Sequence, residues 1–266
     1  MNQGFRNEML HRLFGLDGKT AVVIGGGGVL AGQFSEGLAN AGAHVVVVDV
    51  NDEHGKARVN HILQAGDRSA EFFHASVTDR SELEALVQYL AGQHRHCDVL
   101  VNSAGVNTKK PFLETDPDAD WRRIFGINLD GVFNACQVFG RYMVEQQCEG
   151  SIINVASVTA TIPLSGVTAY SASKHGVLSL TRSLAMEWAS KGIRVNAISP
   201  GFFVAEQNRN LLTPDRREAI IRQTPMARFG APEELVGTIL LLAGPAGRFI
   251  TGANFAVDGG VTAFIL

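Results

Sequence analysis

Val22–Gly32 reads VVIGGGGVLAG: the end of an apolar run, four consecutive glycines, then the start of a helix-like run. A strand, a glycine turn and a helix in immediate succession bring backbone N–H groups and the positive end of a helix to one point. That arrangement suits an anionic pyrophosphate. Gly25 follows the strand directly and can make a tight turn that other residues resist. The spacing of the four glycines is nevertheless not that of an ordinary dinucleotide loop.

Outward from this loop, short apolar runs alternate with helical ones. Strands are predicted at Thr20–Ile24, His44–Val50, Glu71–Val77, Cys97–Gly105, Gly150–Ser157, Ile193–Ser199 and Asn254–Gly260. The run GQFSEGLANAG reads as a helix ending at Gly42, and DEHGKARVNHILQAG as one stopped by Gly66. Thr78 or Asp79 can cap the next helix, with Glu82 placed for a capping box. Long helices are expected over about 118–147 and over Ala169–Gly192. Continuous apolar strands between helices indicate an α/β protein: a doubly wound Rossmann fold, one parallel sheet of about seven strands with helices on both faces. The chain reads as one domain spanning 1–266, with an N-terminal extension at 1–15 and a substrate lobe at 201–252. That lobe lacks a predicted strand and holds two helices, about Pro214–Gln223 and Pro232–Ala243.

Asp49 lies 24 residues beyond Gly25, at the end of the second strand. An acid about 20 residues after such a loop hydrogen-bonds a ribose 2′-hydroxyl. Its charge would repel a 2′-phosphate, and Val50 and Asn51 offer no compensating cation. NAD is therefore favoured over NADP.

The bulk properties exclude other classes. A net charge of −3 gives no basic footprint for nucleic acid. No apolar run approaches the roughly 20 residues of a membrane span. The N-terminus lacks a signal-peptide core. Three scattered cysteines are not a disulfide framework, so a cytoplasmic protein is expected. HRHC at His94–Cys97 finds no partner set and reads as a surface loop, so no metal is expected.

Tyr170 and Lys174 stand four apart on the long helix and share a face. A phenol titrates near 10, too high for a base near neutrality. A neighbouring ammonium would lower that value and make Tyr170 an acid/base for a hydroxyl–carbonyl interconversion. Ser157, at the end of the fifth strand, can hydrogen-bond the same substrate oxygen.

In this combination the chain resembles the short-chain dehydrogenase/reductase family from about Leu16 to Gly260. The matching residues are the Gly25 loop, Asp49, NSAG at Asn102–Gly105, Asn128, Ser157, YSASK at Tyr170–Lys174 and Pro200-Gly201. They occur in order and at family-like spacing. The resemblance implies that Tyr170 is the acid/base and that Lys174 holds the nicotinamide ribose and tunes Tyr170. It also implies that Ser157 orients the substrate and that Asn128 holds a water linking Lys174 to solvent. Nucleotide contacts are implied at Gly25, Gly28, Val29 and Leu30, at Asp49 and Val50, and at Ser76 and Val77. Further contacts are implied at Asn102, Ala104 and Gly105, at Pro200, Gly201 and Phe203, and at Tyr170 and Lys174.

The family loop is Gly-x-x-x-Gly-x-Gly, and here those positions hold Gly25, Val29 and Ala31. A β-branched residue resists positive φ. The backbone at Val29 must then stay in an ordinary region, with Gly26–Gly28 supplying any unusual turn and residues 27–30 supplying N–H donors. Ser76 replaces an Asp that the family often places near adenine, and Ala205 replaces a Thr after Pro-Gly. A narrower resemblance, on IGGGGVLAG, PGFFVAEQNRNLL and TPMARFGAPEEL, is to the D-mannonate (fructuronate) oxidoreductases and related sugar dehydrogenases.

Substrate contacts are expected from Asn107, Ser157, Tyr170, Gln207 and Arg209, with the Arg209 fork on a substrate carboxylate. The polar residues Asn107, Thr108, Ser165 and Thr168 suit a hydroxylated substrate. Trp121 and Phe125 are expected in the core or at a subunit contact. The resemblance implies a four-helix interface and, with the apolar end TAFIL, a homotetramer. The expected activity is therefore an NAD-dependent oxidoreductase of a sugar, polyol or sugar acid. A 3-oxoacyl-carrier-protein reductase is the alternative enzyme, and Asp49 opposes it. A nucleotide-binding protein without turnover is the other alternative, opposed by Ser157, Tyr170 and Lys174.

Overall fold

The computed structural model describes residues 3–203 and 213–263. Seven parallel strands form one sheet: β1 (Thr20–Ile24), β2 (His44–Asp49), β3 (Ser69–His74), β4 (Val99–Asn102), β5 (Gly150–Val155), β6 (Ile193–Pro200) and β7 (Asn254–Val257). Their order is β3-β2-β1-β4-β5-β6-β7. The chain first winds from β1 outward to β3, then returns to β4 on the other side of β1, so the order reverses between β1 and β4.

Strand alternation explains why the sequence shows continuous apolar runs. Val22, Ile24, Val46, Val48 and Leu100 face one core, shared with α4 (Arg80–Gly92), α6 (Gly131–Glu145) and α7 (Thr168–Trp188). Ala21, Val23, Val45, Val47 and Val99 face the other, shared with α2 (Val29–Asn40), α3 (Asp52–Gln64) and α9 (Val236–Ala243). Both faces are covered, so neither carries the polar alternation of a half-exposed sheet. The first helix, α1 (Gln3–Phe14), lies against α9 and the short turn Pro245–Gly247.

The register brings the strand ends to one edge. Ile24 pairs with Val48 on one side and with Asn102 on the other. Asn102 pairs with Asn154, and Val155 with Ile198. The loops that follow β1, β2, β4, β5 and β6 therefore open together at the carboxyl edge, where open α/β sheets place their sites.

Several boundaries differ from the sequence expectation. β3 begins at Ser69 because it pairs with β2 from His44↔Ser69 to Asp49↔His74, and it ends where β2 ends. β4 is only Val99–Asn102, and β7 stops at Val257 before Gly259 and Gly260, both at positive φ. The N-cap of α4 is Asp79, whose carboxylate accepts from Ser81 N at 2.9 Å. Glu82 does not complete a capping box: it accepts from Ser76 N at 2.6 Å, while Asp79 N donates to the Ser76 carbonyl. The expected long helix over about 118–147 is interrupted. Two π-helical stretches, Pro117–Arg122 and Gly126–Asp130, flank the single turn α5 (Arg123–Phe125) before α6. The helices α8 (Pro214–Gln223) and α9 lie where the sequence places the two helices of the 201–252 stretch, α9 after a 3₁₀ turn at Pro232–Leu235.

Candidate active site

The glycine loop is built around one residue in left-handed backbone. Gly25 has φ +75°, and a Cβ there would meet the Ala104 backbone at 2.8 Å. Both Gly25 N and Gly26 N donate to the Val48 carbonyl, which straps the turn to the end of β2. Among the four glycines only Gly25 takes positive φ, so the expectation that Gly26–Gly28 supply an unusual turn is corrected. Those three are needed for room. A Cβ on Gly26 would lie 2.8 Å from the Val23 carbonyl oxygen, and one on Gly27 would lie 2.9 Å from the Asp49 carboxylate. Gly28 is the N-cap of α2 in extended backbone, and Val29 enters as its first helical residue. Thus Val29 sits in ordinary helical conformation, as its β-branch demands.

The donor set is shifted from residues 27–30 to residues 29–31. Gly27 N donates to Asp49 Oδ2 at 3.0 Å and Gly28 N to the Gly25 carbonyl at 3.0 Å. The first α2 bond back to the loop is Gly32 N to the Gly28 carbonyl. Val29, Leu30 and Ala31 head the helix, where N–H groups have no intrahelical acceptor. Those three amides, beside a loop too tight for side chains, make a cradle that fits a pyrophosphate.

Asp49 closes this cradle. Its Oδ2 takes Gly27 N and its Oδ1 takes Asn51 N at 2.9 Å, which fixes the carboxylate at the end of β2. Val50 beyond it is exposed, and Asn51 caps α3 by accepting from His54 N. Ser76 pairs its hydroxyl with Thr78 at 2.8 Å, while Val77 packs into the core. Asn102 faces inward and donates to Asn154 Oδ1 at 2.8 Å. Gly201 approaches Asp258 so closely that a Cβ would lie 2.7 Å from its Cα. Phe203 bridges to Gly230.

Asn128 lies in the second π-helical stretch and is wholly buried. Its Oδ1 accepts from Val106 N at 2.8 Å, and its Nδ2 donates to the Val106 carbonyl at 2.9 Å and to Ser173 Oγ at 3.2 Å. A bulge at this point aims a polar side chain inward at a functional site. Lys174 is 3% exposed, and its Nζ donates to the Val155 carbonyl at 2.7 Å. Burial pulls its ammonium pKa down to about 8. Gly105 faces Asn128 Oδ1 and Lys174 Nζ together, each within 3.5 Å of the Cβ it lacks.

Tyr170 corrects one expectation. Burial raises its phenol above the ordinary value, and a hydrogen bond with Ser157 offsets this in part. The Lys174 ammonium lies 5.8 Å from the phenol ring centre, turned instead to the Val155 carbonyl. Ser157 Oγ also caps a short 3₁₀ turn, accepting from Thr159 N at 3.2 Å and Thr159 Oγ1 at 3.1 Å.

A cleft of about 460 Å³ joins these groups, reaching from Gly28 and Val29 to Tyr170 and Lys174. Asn107 lines it, as expected of a substrate contact. Thr159, Leu164 and Phe202 line it too, within the stretches 106–110, 158–166 and 202–212 that the sequence suggests as pocket walls. Val167 and Arg216 also line it and were not singled out in the sequence. Their only sequence signal is position, Val167 just before α7 and Arg216 in the first turn of α8. Gln207, Arg209 and Ala205 lie outside the described residues. His94–Cys97 forms no metal cluster among the described residues; the Cys97 thiol is buried, with its pKa raised by burial.

A family model described as enoyl-(acyl carrier protein) reductase matches residues 29–262. The chain is 40% identical to galactitol 2-dehydrogenase of Rhizobium johnstonii, over 94% of this chain and 97% of that one. It is 33% identical to 5-keto-D-gluconate 5-reductase of Escherichia coli K12, over 95% and 98%. Its fold matches the crystal structure of a gluconate 5-dehydrogenase from Burkholderia cenocepacia J2315 in complex with NADP and tartrate. There the TM-score is 0.90 and the identity 32%, with 96% of this chain and 99% of that one covered. The chain belongs to the short-chain dehydrogenase/reductase family and is one of its nicotinamide-dependent oxidoreductases.

Proposed function

We propose that the protein is an NAD-preferring oxidoreductase that interconverts a secondary hydroxyl and a ketone on a sugar, polyol or sugar acid. The observation that carries this reading is that Tyr170 and Lys174 open on the same cleft as the α2 amides, with Ser157 acting on the Tyr170 phenol. Val29, Leu30 and Ala31 would hold the pyrophosphate through their amides, Asp49 the adenosine ribose, and Lys174 the nicotinamide ribose. Bound there, the nucleotide supplies or takes the hydride. Tyr170 gives its phenolic proton to the carbonyl oxygen in reduction and takes it back in oxidation. Ser157 orients that oxygen. Asn128, which fixes Val106 beside Lys174, keeps the relay aligned.

The substrate class rests on relatives named for galactitol and for 5-keto-D-gluconate, and on Asn107 and Thr159 in the cleft. D-mannonate or fructuronate is the specific substrate favoured by the loop likeness. The preference for NAD rests on the anchored Asp49 carboxylate, although the Burkholderia relative was crystallised with NADP. A homotetramer is part of the same proposal, supported by exposed Phe133 on α6 and Met186 on α7 and by Trp121 stacked on Phe125. Cytoplasmic residence is supported by three free thiols.

The test is Tyr170→Phe. The variant should lose turnover on galactitol and gluconate by about 10²–10⁴-fold while binding NADH as the wild type does. Retained turnover would refute the assigned role. Turnover of acetoacetyl thioesters but of no sugar would favour a 3-oxoacyl-carrier-protein reductase, in keeping with the description of the family model.

A further inference from the structure

The cleft has an electrostatic bias that the relay does not use. Among its described lining residues it carries two cationic side chains, Lys174 and Arg216, and no carboxylate. Lys174 is committed to the Val155 carbonyl at 2.7 Å. Arg216 stands in the first turn of α8, which Thr213 caps by accepting from Arg216 N at 3.3 Å. It is half-buried and borders the same space as Gly28, Val29 and Tyr170. Among the described lining residues no carboxylate faces this guanidinium, and its planar fork matches two oxygens of one anion. The helix end at α2 adds positive potential across the cleft, so the field there favours anions.

We propose that Arg216 is the oxyanion-recognising residue of the cleft, its guanidinium taking a phosphate oxygen of the nucleotide or the carboxylate of an acid substrate. The inference rests on the oxidoreductase reading and extends it to the charge of the ligand. It also places that recognition on α8, seven positions beyond Arg209, the arginine favoured by the sequence.

Calorimetry separates the two anion sources. NADH is titrated into the wild type, Arg216→Gln and Arg216→Lys, and tartrate, a hydroxylated dicarboxylate, is then titrated into each protein saturated with NADH. If the anion is phosphate, Arg216→Gln weakens NADH about tenfold. If it is a carboxylate, NADH binding is unchanged and tartrate weakens about tenfold. In either case Arg216→Lys, which keeps the charge but not the fork, recovers part of the loss, and the difference shrinks at high salt. The proposal is overturned if Arg216→Gln binds NADH within about twofold of wild type and tartrate affinity is unchanged, or absent from all three proteins. It is equally overturned if Lys and Gln lose the same affinity, because the side chain then acts by packing rather than charge. Failure of the wild type to bind NADH would remove the oxidoreductase reading itself, and this inference with it, an outcome distinct from a wild type that binds and an Arg216→Gln that binds equally well.

Discussion

The Asp49 carboxylate is tied to the glycine loop by Gly27 N, which donates to its Oδ2 at 3.0 Å. The two residues come from different strand ends, β2 and β1, and the bond makes one unit of the loop and the acid. Oδ1 is held by Asn51 N at 2.9 Å, so the group cannot swing aside for a second anion. A 2′-phosphate would face this fixed charge.

Asp49→Ser should therefore shift nucleotide preference. The ratio of NADPH to NADH dissociation constants should fall by about tenfold or more, since removing one like-charge contact is worth at least about 1.4 kcal/mol. Parallel titrations of the two nucleotides check this. A wild type that binds NADPH as tightly as NADH would reject the role given to Asp49.

Burial, rather than the neighbouring ammonium, sets the phenol of Tyr170. The protein has three tyrosines, and all three are pushed above the ordinary value: Tyr89 chiefly by its hydrogen bond to Glu71, Tyr142 and Tyr170 chiefly by burial. Titration of the nucleotide-free protein at the tyrosinate absorbance should show no ionisation below about pH 10. A component below about pH 9 that vanishes in Tyr170→Phe would contradict this and restore the lowered phenol expected from the Tyr-x-x-x-Lys spacing.

That contrast marks how far the sequence is legible. β1 and α8 run where the residues predict, because apolar continuity and the Thr213-Pro214 start are local signals. Gly25 is legible for the same reason: a glycine directly after a strand has few other uses. The π-helical stretches around Asn128 are not, since the weak helix formers of GINLD lower helix propensity without specifying a π-helical turn. The second of them carries a contact 22 residues away, between Asn128 and the Val106 backbone. The partner of Lys174 is equally invisible, being a main-chain carbonyl at the end of β5. Spacing shows that two side chains share a helix face but not which groups the sheet sets against them.

Asn128 should also matter for stability. It satisfies both backbone groups of Val106 from a fully buried position. Asn128→Ala leaves the two backbone groups of Val106 short of a partner, each worth about 1–3 kcal/mol when buried without water, while the Ser173 hydroxyl keeps its bond to the Tyr170 carbonyl. A loss of about 2–4 kcal/mol in the free energy of unfolding is expected, read as a lower urea midpoint. An unchanged midpoint would mean that Val106 finds other partners.

Lys174 gives a pH-dependent prediction whose sign follows from its lowered pKa of about 8 against the ordinary 10.5. Below about pH 8 both folded and unfolded chains carry the ammonium, and the folded one bears its full desolvation cost. Between about 8 and 10.5 the unfolded chain binds more protons than the folded one, so stability rises with pH across that window. Above it both forms are neutral and the cost is gone. A shift of this size corresponds to a cost on the order of 3 kcal/mol. Lys174→Met removes the titration while keeping the length of the stem. Urea unfolding of both proteins should show a constant difference between pH 6 and 7.5. That difference should then move in favour of the wild type as pH rises to 9.5. A difference that stays flat throughout would mean that the Val155 carbonyl and neighbouring dipoles already compensate the buried charge. In that case Lys174 would keep its proton well above neutrality, and the oxidation rate would show no inflection near pH 8.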